Sequence, residues 1–382
     1  MTRALMISRN LSGSTGSLAI VLALTGRLRA LGWHIELCGE KIAPAVAGAA
    51  NGRSHALPRW RWLRGYTDRR AFAWRARRIA ERGRYDLVIG HGDADRQDVL
   101  FLHNLIHLAH EWIPGGEAKK LARIGRFHER VLRAGEFRIC IANSDLMARD
   151  LSARFGLASD RLRVARPGYD PRRFHPLPGA EARRTLRERL ALPPATWWIG
   201  LVTSGDFRKR GLALLLDAFA QLKPELRSRT RLLVVGRDRL AAYQARAHRL
   251  AIAERVHFRP PGEHVEDYYR ALDVLVHPAH IEEFGLAVLE AMACGIPVLI
   301  SRRVGAAELL EEAAGEMVMD RPVVEEITSR LERLLSDEGS RAACAEFSLR
   351  ASVGQTWEAY LDRVCAVLVE GGWTAPSSRR DD

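Results

Sequence analysis

Short apolar runs alternate with longer stretches of helical period along nearly the whole chain, and this alternation limits the possible folds more than any other feature. In the first half RALMIS, HIELCG, DLVIGH, VLFLH and RICIAN read as strands, separated by helix-like stretches such as LAIVLALTGRLRALG, KKLARIGRFHERVLRAG and SDLMARDLSARFG. Strands joined through helices pair in parallel, because a parallel neighbour is reached only by a long crossover. The pattern breaks in RLRVARPGYDPRRFHPLPG, where Pro167, Pro171, Pro176 and Pro178 interrupt every periodicity, and restarts with WWIGLV, RLLVVG, VHF, DVLVHP and PVLIS. Two α/β domains are expected, over residues 1–174 and 175–352. An amphipathic helix, TWEAYLDRVCAVLVE, falls within 353–372, and the tail 373–382 has no apolar pattern and is expected to be disordered.

Length and composition agree, since 382 residues suit two domains of roughly 150 to 200, and 47% hydrophobic with 27% charged residues is an ordinary globular mixture. The five cysteines are odd in number, widely spaced and form no C-x-x-C pair, which argues against a disulfide framework or structural zinc and for a reducing cytoplasm. No signal-peptide pattern and no apolar run of about 18 residues is present, so a chain neither exported nor integral to a membrane is expected. Net charge is +13 and uneven: 31 basic residues face 16 acidic ones through Phe174, and 28 face 30 afterwards. Only five of the 59 basic residues are Lys. An Arg excess of this kind also follows from codon bias, so it carries no function by itself.

The segment HPAHIEEFGLAVLEAMACGIPVLIS holds the most chemistry. A strand should end at His277-Pro278 and a helix begin near Gly285, with Glu282 in the loop between and Glu290 eight residues on, inside the helix. Loops over the carboxyl ends of parallel strands are where such sheets bind ligands. Gly285 permits close approach of a ligand, and the free N–H groups of Leu286 and its neighbours suit a phosphate. Two glutamates alone also fit a solvated loop and an ordinary amphipathic helix. The longer pattern E-x-F-G-x-x-x-x-E-A-M-A-x-G-x-P-V, however, resembles the signature of retaining glycosyltransferase family 4, of the GT-B superfamily. That resemblance implies that Glu282 contacts hydroxyls of the donor sugar and Glu290 the nucleotide ribose.

A second match is TSGDFRKRGLALLLDAFAQL, similar to the family's strand, basic loop and Lys-Gly step. Cations are needed there because a leaving nucleoside diphosphate gains negative charge as the glycosidic bond breaks. Arg210 stands where the family usually has Lys, preceded by Lys209 and Arg208, and the pattern leaves open which of the three reaches the diphosphate. His103-Asn104-Leu105 follows a strand and resembles the family segment whose His abuts the donor sugar; a packed or capping His is the plain alternative. The loop Ser12–Ser17, with Gly16, occupies the place of the family's Gly-Gly loop without its adjacent glycines. Gly16 is expected to supply a positive φ and an open helix start. Gly168 and Asp170 resemble a linker motif that a simple turn explains equally well. Asp93-Ala94-Asp95 looks like a D-x-D metal motif, which belongs to another glycosyltransferase fold.

The resemblance is strongest from Ile199 to Glu308 and covers most of the chain, with GDFRKRG, LLVVGRD, VHF and HPAHIEEFGLAVLEA closest in appearance to glucosyltransferases that extend lipopolysaccharide core. It implies two Rossmann-like domains facing across a cleft, the C-terminal helix packing back on the first. It also implies transfer with retention from a nucleoside-diphosphate sugar, UDP-glucose being the favoured donor, to a lipid-linked or cell-envelope saccharide. No cofactor and no metal are expected. A nucleotide-sugar epimerase and a non-catalytic basic protein binding an anionic surface are the alternatives; no nucleic-acid-binding signature is present. From Arg53 to Arg84 eleven Arg are interleaved with Trp60, Trp62, Tyr66, Phe72 and Trp74, against Asp68 and Glu81. Such a segment is expected to dock on an anionic membrane at the inner face of the cytoplasmic membrane. The competing reading is a surface helix with its aromatics in the core.

Overall fold

A computed structural model describes residues 2–13, 16–60, 66–115, 118–193 and 197–375, without the side chains of 118–123 and 312–314. The chain divides into two compact units, Met1–Pro167 with Trp357–Asp382, and Gly168–Thr356. Among the described residues the main sheet of the first unit has seven parallel strands, β1 (Arg3–Ile7), β2 (His34–Gly39), β3 (Ser54–Ala56), β4 (Leu87–Gly90), β5 (Val99–Phe101), β6 (Ile139–Ala142) and β7 (Leu162–Val164), in the order β3-β2-β1-β4-β5-β6-β7, beside a short parallel pair, Asn10–Leu11 with Lys41–Ile42. The five expected strands are present. β3 and β7 are additional edge strands of three residues, too short to show a period. β7 comes from the start of the segment read as linker, and it pairs Leu162 with Cys140, so the first unit runs on to Pro167.

Helix α1 (Gly16–Ala30) lays Leu18, Ile20, Val21, Leu24 and Leu28 against Ala4, Met6, Ile35, Leu37, Leu87 and Ile89 on one sheet face. On the other face α2 (Tyr66–Gly83) buries Phe72 and Ala76 against Leu5, Ile7 and Cys38. α3 (Ala118–Ala134) lies beside α2.

The second unit repeats the plan with six parallel strands, β8 (Trp197–Val202), β9 (Thr230–Val235), β10 (Val256–Arg259), β11 (Val274–His277), β12 (Val298–Ser301) and β13 (Val318–Met319), ordered β10-β9-β8-β11-β12-β13. Helices α4 (Leu212–Gln221), α5 (Val265–Ala271) and α6 (Leu286–Ala293) belong to its layers. In each sheet the strand order reverses beside the first strand, between β1 and β4 and between β8 and β11. Connections on the two sides of that point leave in opposite directions and open a crevice above the strands' carboxyl ends.

After Thr356 the chain rejoins the first unit as α7 (Trp357–Glu370), whose Tyr360, Val364, Val367 and Leu368 enter the core under α1. Trp373 is buried there too, with the Arg138 guanidinium 4.4 Å from its ring centroid, so the expected disordered tail does not begin at 373; residues 376–382 lie outside the described ones.

Candidate active site

The crevice of the second sheet is bordered by the loop after β8 and the loop after β11. Asp206 takes a left-handed conformation (φ 56°), and its carboxylate accepts from Lys209 N at 3.1 Å, which curls the basic loop into a turn. Gly211 (φ 73°) then starts α4 directly under Pro278: a Cβ at that position would stand 2.0 Å from the Pro278 carbonyl oxygen. This is the physical content of the basic-residue-Gly step, since only glycine lets the loops pass so closely. They are also tied by His280 N donating to Lys209 O at 2.9 Å.

Glu282 is fixed by its backbone, its N–H donating to Arg303 O at 2.9 Å and its C=O accepting from Gly305 N at 3.1 Å. These ties bring the predicted Lys209, Arg210 and Glu282 together with Glu283, while the predicted Glu290 lies apart on α6. Lys209 Nζ donates to both oxygens of Glu283, at 2.9 and 2.6 Å, with the two side chains only 12% and 11% exposed. Arg210 Nε lies 2.6 Å from Glu282 Oε2 as an ion pair without hydrogen-bond alignment, and buried His277 Nε2 is 3.8 Å from the same oxygen. Burial pushes Glu282 up, but the Arg210 and Lys209 charges and His277 outweigh it and hold the carboxyl well below the usual range. Burial, with Arg210 and Lys209 opposing charge, keeps His277 low despite Glu282. Arg208, by contrast, is exposed.

Gly285 (φ 100°) opens α6, and a Cβ on it would meet Val304 Cγ1 at 2.8 Å. α6 begins at Leu286, as expected from the pattern. Glu290, half-buried on α6, receives a hydrogen bond at 2.8 Å from the Tyr269 hydroxyl. Burial, aided by Glu266, raises its carboxyl to about 7 against the opposing pull of the Tyr269 bond and Arg173.

The other predicted residues lie in the first unit. Gly16 is the first residue of α1, while the recorded positive φ of that loop is at Gly13 (89°); residues 14 and 15 are outside the described ones. His103 follows β5, and its Nε2 lies 2.8 Å from Nδ1 of buried His91 after β4, the two rings stacked 7° from parallel. Burial holds His103 at about 4, so the pair is neutral and His103 is half packed rather than freely presented. Of the D-x-D triplet, Asp93 is engaged by Arg9 N at 3.0 Å and Arg69 Nη1 at 2.8 Å.

Residues 15–173 match the model of glycosyltransferase family 4, and residues 187–350 match that of glycosyl transferases group 1. The chain belongs to these glycosyltransferases. D-inositol 3-phosphate glycosyltransferase of Xylanimonas cellulosilytica is 32% identical over 282 residues, 69% of this chain and 65% of that protein. Lipopolysaccharide glucosyltransferase WaaG of Escherichia coli is 28% identical over 204 residues, 53% of this chain and 54% of WaaG. The matched region thus spans between 54% and 65% of the length of these curated relatives. The crystal structure of WaaG, a glycosyltransferase involved in lipopolysaccharide biosynthesis, gives a TM-score of 0.81 at 20% identity, covering 95% of this chain and 99% of that one. Anabaena HepE in complex with UDP-glucose gives 0.75 at 16%, covering 97% and 100%. At such identities the likeness is one of fold, two Rossmann-like domains of GT-B type.

In this family 4 chain the sequence reading passed over Glu283, Tyr269 and His277. Glu283 adjoins Glu282, and nothing local ties it to Lys209, 74 positions earlier. Tyr269 sat unremarked in the helix-like stretch before β11. His277 was marked only as the end of a strand.

Proposed function

We propose that this chain moves a sugar, with retention of anomeric configuration, from a nucleoside-diphosphate donor to a lipid-linked or cell-envelope saccharide. The observation that carries this reading is the cluster of Lys209, Arg210, Glu282 and Glu283 at the reversal point of the second sheet. Glu282 and Glu283 hold the two cations in place. An arriving diphosphate competes with Glu283 for Lys209 and, as the leaving group, takes up charge that the two fixed cations stabilise. The cations and the free N–H groups at the start of α6 make a bound metal unnecessary. Glu282 meets the sugar hydroxyls and Glu290 the ribose. A departing phosphate oxygen takes the acceptor proton, so no separate carboxylate base is needed. UDP-glucose is the preferred donor, in keeping with the likeness to HepE in complex with that compound.

The proposed partner of the first unit is an anionic membrane at the cytoplasmic face, met through α2. Phe72 packs in the core, but Trp60 and Trp74 are 40% and 49% exposed. Tyr66, Arg70, Trp74 and Arg78 follow at intervals of four on one helix stripe, Arg70 5.9 Å from the Tyr66 ring centroid and Arg78 4.7 Å from that of Trp74. Arg126 of α3 lies 5.8 Å from the Tyr66 ring and extends the basic face. Trp62, with residues 61–65, lies outside the described ones. No described helix is long and apolar enough to cross a membrane.

The deciding experiment is incubation with UDP-, GDP- and ADP-sugars and candidate glycolipid acceptors, with products followed by mass spectrometry and anomeric configuration by NMR. A product of retained configuration is expected. Donor isomerisation without acceptor, or no turnover of any donor, would overturn the proposal.

A further inference from the structure

Tyr269 is 1% exposed at the inner side of α5, its ring tilted against Phe174 with centroids 6.1 Å apart. Among the described residues its hydroxyl has one partner, Oε2 of Glu290, at 2.8 Å. The other carboxylate oxygen, Oε1, takes no hydrogen bond among the described residues, and Glu290 as a whole is half-buried. One oxygen tied by Tyr269 and one left without a bond make a directed acceptor. A carboxylate free to rotate would have to be ordered when a ligand arrives, and that ordering weakens binding.

We infer that Tyr269 is a positioning residue that fixes Glu290 so that a single carboxylate oxygen faces the nucleoside of the donor. The inference rests on reading Glu290 as the nucleotide contact. Its second consequence is a pH dependence. The groups facing Glu290 are Tyr269 and Glu266 on α5, Arg173 from the segment before β8, and Cys294 just past α6. Arg173 Nη2 is itself paired with Glu266 Oε2 at 2.6 Å, which blunts the pull of each on Glu290. The Tyr269 hydroxyl donates to the charged form of Glu290 and favours it. A carboxyl raised by burial to about 7 is largely protonated below that pH and ionised above it, so an acceptor of hydroxyl protons is lost as pH falls through 7. Removing the Tyr269 hydroxyl pushes that transition further up.

The test is the affinity of the full chain for UDP-, GDP- and ADP-glucose without acceptor, measured by calorimetry from pH 5.5 to 9, following the tightest of the three. The diphosphate diester and the bases of these donors do not titrate near pH 7, so the protein supplies a midpoint found there. For the unaltered chain affinity should fall as pH drops through about 7. Tyr269→Phe keeps the ring against Phe174 and should weaken binding about tenfold at pH 7, with the midpoint raised by about one unit. Glu290→Gln should bind weakly and without the pH transition. A merely structural loss in Tyr269→Phe would weaken binding equally at every pH and leave the midpoint in place. That outcome, or unchanged affinity in Tyr269→Phe while Glu290→Gln is impaired, overturns the positioning role and leaves the donor reading intact. Unchanged affinity and pH dependence in Glu290→Gln overturns the donor reading itself.

Discussion

At the scale of single residues, the site consists of charges whose partners decide what they can do. Lys209 and Arg210 together to Ala should lower turnover by about two to three orders of magnitude, the scale expected when fixed charge opposite a leaving group is removed. Lys209 changed alone also takes the cation from the nearly buried Glu283 carboxylate, which costs stability, so the thermal midpoint should drop. Pairing that change with Glu283→Gln should restore the midpoint but not turnover. Near-normal turnover in the double cation variant would make the basic loop a solvated turn. Glu282→Gln should act mainly on kcat, because a sugar contact that strengthens in the transition state shows there rather than in KM. A further carboxylate acts on stability. Burial pushes Glu36 up, but Arg3, His55 and Tyr85, donating at 2.6, 2.7 and 2.8 Å, outweigh it and hold it at about 2. A folded value below the ordinary one means that its contribution is complete above about pH 4.5 and is lost as pH falls toward 2. Acid unfolding of Glu36→Gln should therefore be shallower over that window than for the unaltered chain, at a lower starting stability. Parallel curves would show that the Glu36 cluster does not govern acid stability.

At the scale of elements, two features place the chemistry. The first is the crossing of the β8 and β11 loops at Gly211. Gly211→Ala sets a Cβ 2.0 Å from the Pro278 oxygen in a left-handed conformation, and should destabilise the chain by about 2 kcal/mol or more and displace Lys209. Urea unfolding and donor KM read the two effects, and a variant with both unchanged would mean that the loops need not pass so closely. The second is the outward stripe of α2. Vesicles containing anionic lipid should co-sediment the chain at low salt and release it near 1 M, where the Debye length falls to about 3 Å. Arg69 and Arg77 are paired with Asp93 and Glu81, so the charges to reverse are Arg70 and Arg78, for which no ion pair is present among the described residues. Arg70→Glu with Arg78→Glu, or Trp74→Ala, should abolish sedimentation without affecting donor binding. Sedimentation that survives both places the membrane contact elsewhere.

At the scale of the whole molecule, the proposed transfer without a metal predicts that activity survives EDTA; loss reversed by magnesium or manganese would contradict that proposal. A donor that binds only the folded chain should raise the thermal midpoint, with about 2.7 kcal/mol of stabilisation at a hundred times its Kd. Much was legible beforehand. The twofold run of strands and helices dictates parallel sheets because hydrogen bonding and burial follow local periods of two and 3.6 residues, and DVLVHP followed by Gly285 marked a strand end and a helix start where β11 and α6 are found. The edge strands Ser54–Ala56 and Leu162–Val164 escaped because three residues carry no period and their place comes from a neighbour's unpaired edge. By itself, then, the sequence determined the class of fold, the repeat of that fold, and the residue types of the site. Which carboxylate holds which cation, that Tyr269 stands behind Glu290, and that α7 returns to the first unit's core were decided only by tertiary structure. The order of strands in a sheet sets which loops meet, and Lys209 and Glu283 face each other only because β8 and β11 are neighbours.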